Sequence, residues 1–555
     1  MPITNSIRQL RELLPFGLFP GTNVQVTSFK WNPGDRNSRS ECDLVTDPTN
    51  QDNLIAASKR FYDYSHYRFT IATAYSTDGG STWSKSTDLN LWGRTEQTGG
   101  YTDPALAIDK DGVAYLVAEP DLWTDRPDPD DVLSTGMYVF RSTDHGASWL
   151  PAPVILEDRQ AGDDKQWATT DNNLSSEFYG WVYAVWAANT PLFFARKAPG
   201  EVTWIGAGTD SSATAIASDA FAPAICVSSD GTIHIAWHVP NTAVILHMSS
   251  SDGGVSFSDP EVCAEDIGDI TANFPPKSPS DWPQFPGGTF RVLTLVSIAP
   301  IGQRGCIVAW ADARGPFTRI FYRIRSDDGT WLDGDSGRPL LGDMGFSDSK
   351  PVQHFHPQLA VTPAGIVGCA FYEFGVKGSD GIHRIDVRLA STALFAQNTF
   401  VFLATVTEKP WDPLVDAPFS HGNPAVTFIG EYFGLDVSGD DFCVLWTDTR
   451  TGHQELWFAR VATWRSIPGS PPSLTPETVG QLIGGVAVDG GGWVIVGGYR
   501  HRIPPRGPIT EILQLLAANA LVAGVNSPAA EQIRKALFSA ISDIAARASE
   551  SERRS

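Results

Sequence analysis

Short apolar runs recur along most of the 555-residue chain, separated by stretches rich in Gly, Pro, Asp and Ser. Runs of this length, bounded by turn residues, predict strands rather than helices. Seven runs stand out, at residues 53–61, 113–119, 181–189, 232–239, 306–314, 366–374 and 442–450. Several carry an aromatic at the same place, namely Trp186, Trp237, Trp310, Phe371 and Trp446. Most follow another run that starts through Pro or Asp, as at Asp103 to Asp109, Pro223 to Val227 and Pro357 to Val361. A unit of this size, repeated, predicts small sheets that bury their faces against neighbouring copies.

A turn pattern marks the units independently. It reads Ser76-Thr77-Asp78-Gly79-Gly80-Ser81-Thr82-Trp83, then Ser142-Thr143-Asp144-His145-Gly146-Ala147-Ser148-Trp149, then Ser250-Ser251-Asp252-Gly253-Gly254-Val255-Ser256-Phe257. A shortened copy is Ser326-Asp327-Asp328-Gly329-Thr330-Trp331, and a degenerate one ends at Thr203-Trp204. The pattern has the chemistry of a hairpin turn: Asp accepts backbone N–H bonds, Gly takes the positive-φ position, and the terminal aromatic folds back onto the unit. It resembles the Asp-box, or BNR repeat, of the sialidase superfamily. The copies fall roughly 50 to 75 residues apart, the scale of a four-stranded propeller blade with loop insertions. The resemblance implies an all-β fold, a β-propeller of antiparallel blades over residues 22–465. The strand runs count seven blades; six is the alternative, since sialidases have six and one unit can be an elaborated loop. Residues 23–30 are the expected closing strand of the last blade.

Composition changes after Pro468-Gly469-Ser470-Pro471-Pro472. Residues 486–496 read as a small hairpin turned by Gly490, Gly491 and Gly492. Two helices follow, one beginning at Pro508 and ending near Gly524, the other capped by Ser527 with Pro528 at its first position. Ile533, Leu537, Ile541 and Ile544 line one face of the second, and a short helix within residues 1–21 carries Ile7, Leu10, Leu13 and Leu14. The chain thus divides into an N-terminal helical segment (1–21), the propeller (22–465) and a C-terminal segment (466–555). The helical stripes pack on the propeller, or serve oligomerisation or docking.

The 42% of hydrophobic residues supply a large core, and 41 basic against 63 acidic side chains leave a net charge of −22. That balance excludes a nucleic-acid partner, which recruits clustered Lys and Arg. No run approaches the ~20 apolar residues of a membrane span. Arg8, Arg11 and Glu12 interrupt what would be the apolar core of a signal peptide, which points to a cytoplasmic protein or export by a non-classical route. The six cysteines are widely spaced within apolar runs and read as buried free thiols, without the spacing of a disulfide framework or metal site.

In propellers each blade runs from its innermost to its outermost strand, and ligands gather on the face opposite the boxes. Loops leading into the first strands bring Asp103, Lys165, Trp167, His354, His356, Glu431 and Tyr432 to that face. Second-strand ends bring Arg60, Glu119, His238, Asp312, Arg314, Glu373, Asp448 and Arg450. Asp312 with Arg314 and Asp448 with Arg450 read equally as ion pairs that tie a loop down. The acidic insert 119–131 reads as a solvated loop, or as a wall that holds a cation. Aromatic platforms beside Asp, Glu and Arg forks suit a glycan or glycoconjugate. Similarity to sialidases implies a tyrosine nucleophile assisted by a carboxylate, an aspartate acid/base and three arginines that hold an anion. On this chain these are Tyr432 with Glu373, Asp103, and Arg60, Arg314 and Arg450, with the other residues named above as substrate contacts. The family's Arg-Ile-Pro motif before the first blade has no counterpart; Arg502-Ile503-Pro504 lies beyond the propeller. No cofactor is expected, and a structural calcium ion has no motif behind it. The function expected is glycoside hydrolysis at the central depression, or glycan or protein binding without catalysis within a larger assembly.

Overall fold

Seven antiparallel sheets succeed one another along the chain in the computed structural model. It describes residues 16–28, 37–64, 66–123, 132–158, 163–188, 191–207, 214–240, 242–275, 282–393, 396–421, 423–464, 488–489, 493–496 and 499–502. The innermost strands are Arg39–Thr46, Gly99–Ile108, Asp163–Thr170, Phe221–Val227, Val296–Ile301, Gln353–Val361 and Gly434–Ser438. Each contacts the innermost strands of the blades before and after it, and the last contacts the first. The protein is therefore an all-β, seven-bladed propeller, and the six-bladed alternative falls. A cavity of about 460 Å³ runs along the axis, touched by every blade from Asp43, Leu106, Thr169, Ile225, Ile298, Leu359 and Leu435.

Closure joins distant parts of the sequence. Blade 7 draws three strands from Gly434–Ser438, Asp441–Asp448 and Glu455–Trp464, while Val24 and Gln25 pair with Phe458 and Trp457 as a closing strand. Trp186, Trp237, Trp310 and Trp446 are completely buried on their second strands, as is Phe371. Trp186, Trp237 and Trp310 fill the space between their own blade and the one before it.

The repeated turns join the third strand to the fourth. In the first copy Asp78 accepts from the Thr82 N–H at 2.8 Å and the Thr82 hydroxyl at 2.6 Å, and the Ser76 hydroxyl takes the Gly80 N–H at 2.9 Å. Asp144 and Asp252 repeat the scheme with Ser148 and Ser256. Their aromatics reach the preceding blade. Trp83 packs on Phe458 of blade 7, Trp149 donates to Thr73 of blade 1, Phe257 packs on Phe194 of blade 3, and Trp331 packs on His247 of blade 4. The turns of blades 1, 2, 4 and 5 thus latch each of these blades to the one before it.

Two compact units are present. The propeller comprises Pro20–Ala390 and Leu403–Val461; Met1–Phe19, Ser391–Phe402 and Ala462–Ser555 form the other. In the latter Val488–Asp489, Trp493–Val496 and Tyr499–Arg502 make a three-stranded antiparallel sheet, one strand more than the expected hairpin, with Arg502 paired to Trp493. Phe16–Pro20 is a strand where a helical segment was expected, in keeping with its Gly17 and Pro20. The apolar stripe of Ile7 to Leu14 and the helices expected from Pro508 onward lie outside the described residues.

A Cβ on Gly80 (φ +87°) would lie 2.1 Å from the Phe458 ring. Gly80→Ala is therefore expected to cost about 1–3 kcal/mol through overpacking and an unfavourable φ, read as a lowered urea midpoint. Ala at the exposed Gly93, which meets nothing within 4 Å, shares only the φ penalty and serves as the control.

Candidate functional site

Five of the innermost strands share a distortion at one level. Glu41, Asp103, Lys165, Ala222 and His356 have φ between 46° and 55°, and each sits at a shift in register against the second strand of its blade. Such bulges insert one residue and re-aim its side chain. In blade 7, Gly430 takes φ 91° just before Glu431 and Tyr432. Non-glycine residues avoid this region, so its recurrence around a ring marks a constrained site.

The ring brings charges from several blades together. The Lys165 ammonium lies 2.9 Å from Asp103, 3.6 Å from Glu41, 2.7 Å from Glu431 and 3.6 Å from Asp164. Lys59, from the second strand of blade 1, lies 3.1 Å from Glu41 and 3.8 Å from Asp103. Arg291 meets Glu431 at 2.6 Å. The ammonium of Lys59 is surrounded by Phe69, Tyr67 and Phe428 at 4.1, 4.9 and 5.0 Å from the ring centres. Above, Tyr67 stacks on His421 at 4.6 Å and His421 on Trp282 at 5.3 Å, and the Arg291 guanidinium lies against Trp282. These rings exclude water from the cations and strengthen the ion pairs below.

Burial and pairing drive the carboxyl groups apart. Burial, together with the Asp103 charge, raises Glu41 to about 8, and burial raises Asp121 to about 8. Burial and the neighbouring Asp121 and Asp164 push Glu119 well above its usual range. For Asp103 burial acts in the same sense, but Lys165 and Lys59 outweigh it and hold the group well below the ordinary carboxylate value. Arg291 and Lys165 likewise overcome burial at Glu431, which falls to about 2. Protonated and ionised carboxyls therefore stand side by side near neutral pH. Oxygens of Asp103, Glu119 and Asp164 lie within 4.8 Å of one another, a donor set that suits a hard cation such as Ca²⁺.

Solvent reaches this group at Asp164, whose side chain is 46% exposed. Beside it Trp167 and Tyr432, both partly buried, meet edge to face at 6.1 Å. A cavity of about 30 Å³ lies between Lys165, Trp167, Ala222, His356, Glu431 and Tyr432, room for a water molecule. Both ring nitrogens of His356 lack a hydrogen-bond partner among the described residues. Burial keeps His356 near 3, hence neutral.

Of the residues singled out from the sequence, Asp103, Glu119, Lys165, Trp167, His356, Glu431 and Tyr432 meet here. The others are placed elsewhere. Arg60 turns to Asn37 and Asp88 at 2.7 Å each, while its neighbour Lys59 takes the site. Glu373 joins His354 (2.9 Å), Lys350 (3.6 Å) and Arg388 (3.8 Å) in blade 6 rather than Tyr432. His354 turns to Glu373, whereas His356, at its bulge, lines the small cavity of the site. His238 bonds the Thr242 carbonyl at 3.0 Å. Asp312 and Asp448 form matching units: each accepts from Arg314 or Arg450 two residues on at 2.5 Å, and from the indole of Trp310 or Trp446 at 2.9 or 3.0 Å. That is the loop-tying geometry. Asp121 belongs to the acidic insert, whereas Glu41, Lys59, Asp164 and Arg291 stand in no motif. The available signal was a charged residue inside an apolar strand, as in Leu54-Ile55-Ala56-Ala57-Ser58-Lys59, where a charge survives only if paired.

Known structures of similar shape can be set beside this geometry. Sialidases are among its structural neighbours. The chain is similar to the leech intramolecular trans-sialidase (14% identity, TM-score 0.39, covering 71% of this chain and 70% of that one). It is similar also to the NanB sialidase of Streptococcus pneumoniae (13%, 0.39, 64% and 67%). A protein of unknown function from Dyadobacter fermentans matches at 13% identity and TM-score 0.43, over 81% of this chain and all of that one. No protein-family profile and no curated protein matches the chain. Identities this low leave the chemistry to be read from the site itself.

Lys165→Met leaves Asp103 and Glu431 short of a counter-charge in a buried setting, and a loss of about 3–5 kcal/mol in urea unfolding is expected. Glu41→Gln tests the raised carboxyl. Its folded value of about 8 exceeds the unfolded 4.5, so the folded state binds the extra proton between those values and loses stability as pH rises through them. The variant's urea midpoint should therefore fall less steeply than wild type between pH 5 and about 8.

Proposed function

We propose that the chain is a carbohydrate-directed, sialidase-like propeller that hydrolyses glycosidic bonds at the bulged end of its axis. The observation that supports this reading is the contact between carboxyls held protonated, Glu41 and Glu119, and one held ionised, Asp103. Glycoside hydrolysis asks for that division, an acid for the leaving oxygen and a negative group for the charge that develops at the sugar. Glu119, grouped with half-exposed Asp164, is the proton donor in this reading. Asp103 is the ionised partner, and Trp167 with Tyr432 forms the platform for the C–H faces of the sugar. Tyr432 serves contact better than nucleophilic attack, since burial raises its phenol well above the usual value and Glu373 is engaged with His354.

A second reading, glycan binding without turnover, is favoured by one feature: Asp103 and Glu431 are each already matched by two cations. Hydrolysis and retention assays over one panel of glycosides separate the two. Catalysis predicts turnover that drops by about 10²–10⁴-fold in Glu119→Gln, with the melting temperature retained. Turnover on no substrate, with retention that Trp167→Ala abolishes, would establish the binding reading instead.

A further inference from the structure

Away from the axis, blades 4 and 5 meet around a group of soft ligand atoms. Three of the six cysteines, Cys226, Cys263 and Cys306, belong to one buried cluster there. Cys226 stands opposite His234 across the ladder between the first and second strands of blade 4. His247 comes from the third strand, Ile245–Ser250, and Cys306 from the second strand of blade 5, Gly305–Asp312. The two imidazoles stack with centroids 5.3 Å apart. Nδ1 of His234 lies 3.0 Å from Nε2 of His247, and Sγ of Cys306 lies 3.8 Å from that same Nε2. One ligand atom from each of the three residues falls within 4.8 Å of the other two.

We propose that His234, His247 and Cys306 bind a divalent cation of the Zn²⁺ type that fastens blade 4 to blade 5. Tetrahedral Zn²⁺, with bonds of about 2.05 Å to nitrogen and 2.3 Å to sulfur, holds its ligands about 3.3 Å (N to N) and 3.6 Å (N to S) apart. The observed separations differ from these by a few tenths of an ångström, which a small side-chain shift absorbs. Groups behind the ligands fit the same role. His247 directs Nδ1 to Glu261 at 2.9 Å, and Arg325 donates to the same Glu261 oxygen at 2.8 Å. A carboxylate in that position settles which nitrogen carries the proton and frees Nε2 for the metal.

The protonation states are compatible. Burial lowers both imidazoles and so favours the neutral ring, the form that ligates. Burial raises the Cys306 thiol, which gives up its proton as the metal–sulfur bond forms; one proton is released to solvent for each ion bound. All three ligand residues are shielded from water.

The full-length protein, produced with zinc or with cobalt in the medium, tests this. We expect about one zinc ion per chain by mass spectrometry of the metal, and in the cobalt form a thiolate-to-metal charge-transfer band. Cys306→Ser should lose both, whereas Cys369→Ser, at a buried thiol of blade 6, should keep both. The band also separates this site from the oxygen donors at the axis, which cannot produce it. Folded wild type that carries neither the ion nor the band overturns the proposal, whether or not Cys306→Ser folds. So does a band that survives in folded Cys306→Ser.

Discussion

The Lys165 ammonium is the point on which the axial site depends. It is nearly buried, and it reaches carboxylates from blades 1, 2, 3 and 7. A buried carboxylate costs several kcal/mol unless a cation meets it. With Lys59 and Arg291, Lys165 leaves Asp103 and Glu431 ionised, and the acids these cations serve less well are pushed toward protonation. The division between acid and conjugate base thus follows from the balance of burial, neighbouring carboxylates and cations at each group. It rests on the bulges, since a regular innermost strand would alternate these side chains toward the neighbouring blades.

Around that axis the ring is held by contacts between blades rather than within them. The Ser-x-Asp turns close with local hydrogen bonds, then set an aromatic on the preceding blade. The first such turn reaches Phe458, beside the pairing of Val24 with the same residue. The beginning and end of the propeller are therefore joined twice, by a ladder and by a ring contact. Loop closure over such a separation is entropically costly, and the two contacts offset it together.

Much of the fold was legible in the chain. All seven second strands appear as short apolar runs, because burial on both faces leaves a near-continuous apolar signature. The site was legible only in part. Asp103, Glu119, Trp167, Glu431 and Tyr432 could be placed at one end of the axis by strand position. Lys59 was displaced in favour of Arg60, its neighbour, since a one-residue change of register exchanges the two faces of a strand. Glu41 and Arg291 carried no motif. Likewise the spacing of Cys226, Cys263 and Cys306 shows nothing of their convergence, because ligands supplied by adjacent blades have no fixed separation along the chain.

By itself the sequence determined the kind of element, the repeat and the turns, all of which depend on side chains within a few positions of one another. Tertiary structure decided the blade number, the partner of each charge and the meeting of His234, His247 and Cys306. Those outcomes depend on distances across a closed ring, and the ring's geometry is set by the packing of whole sheets.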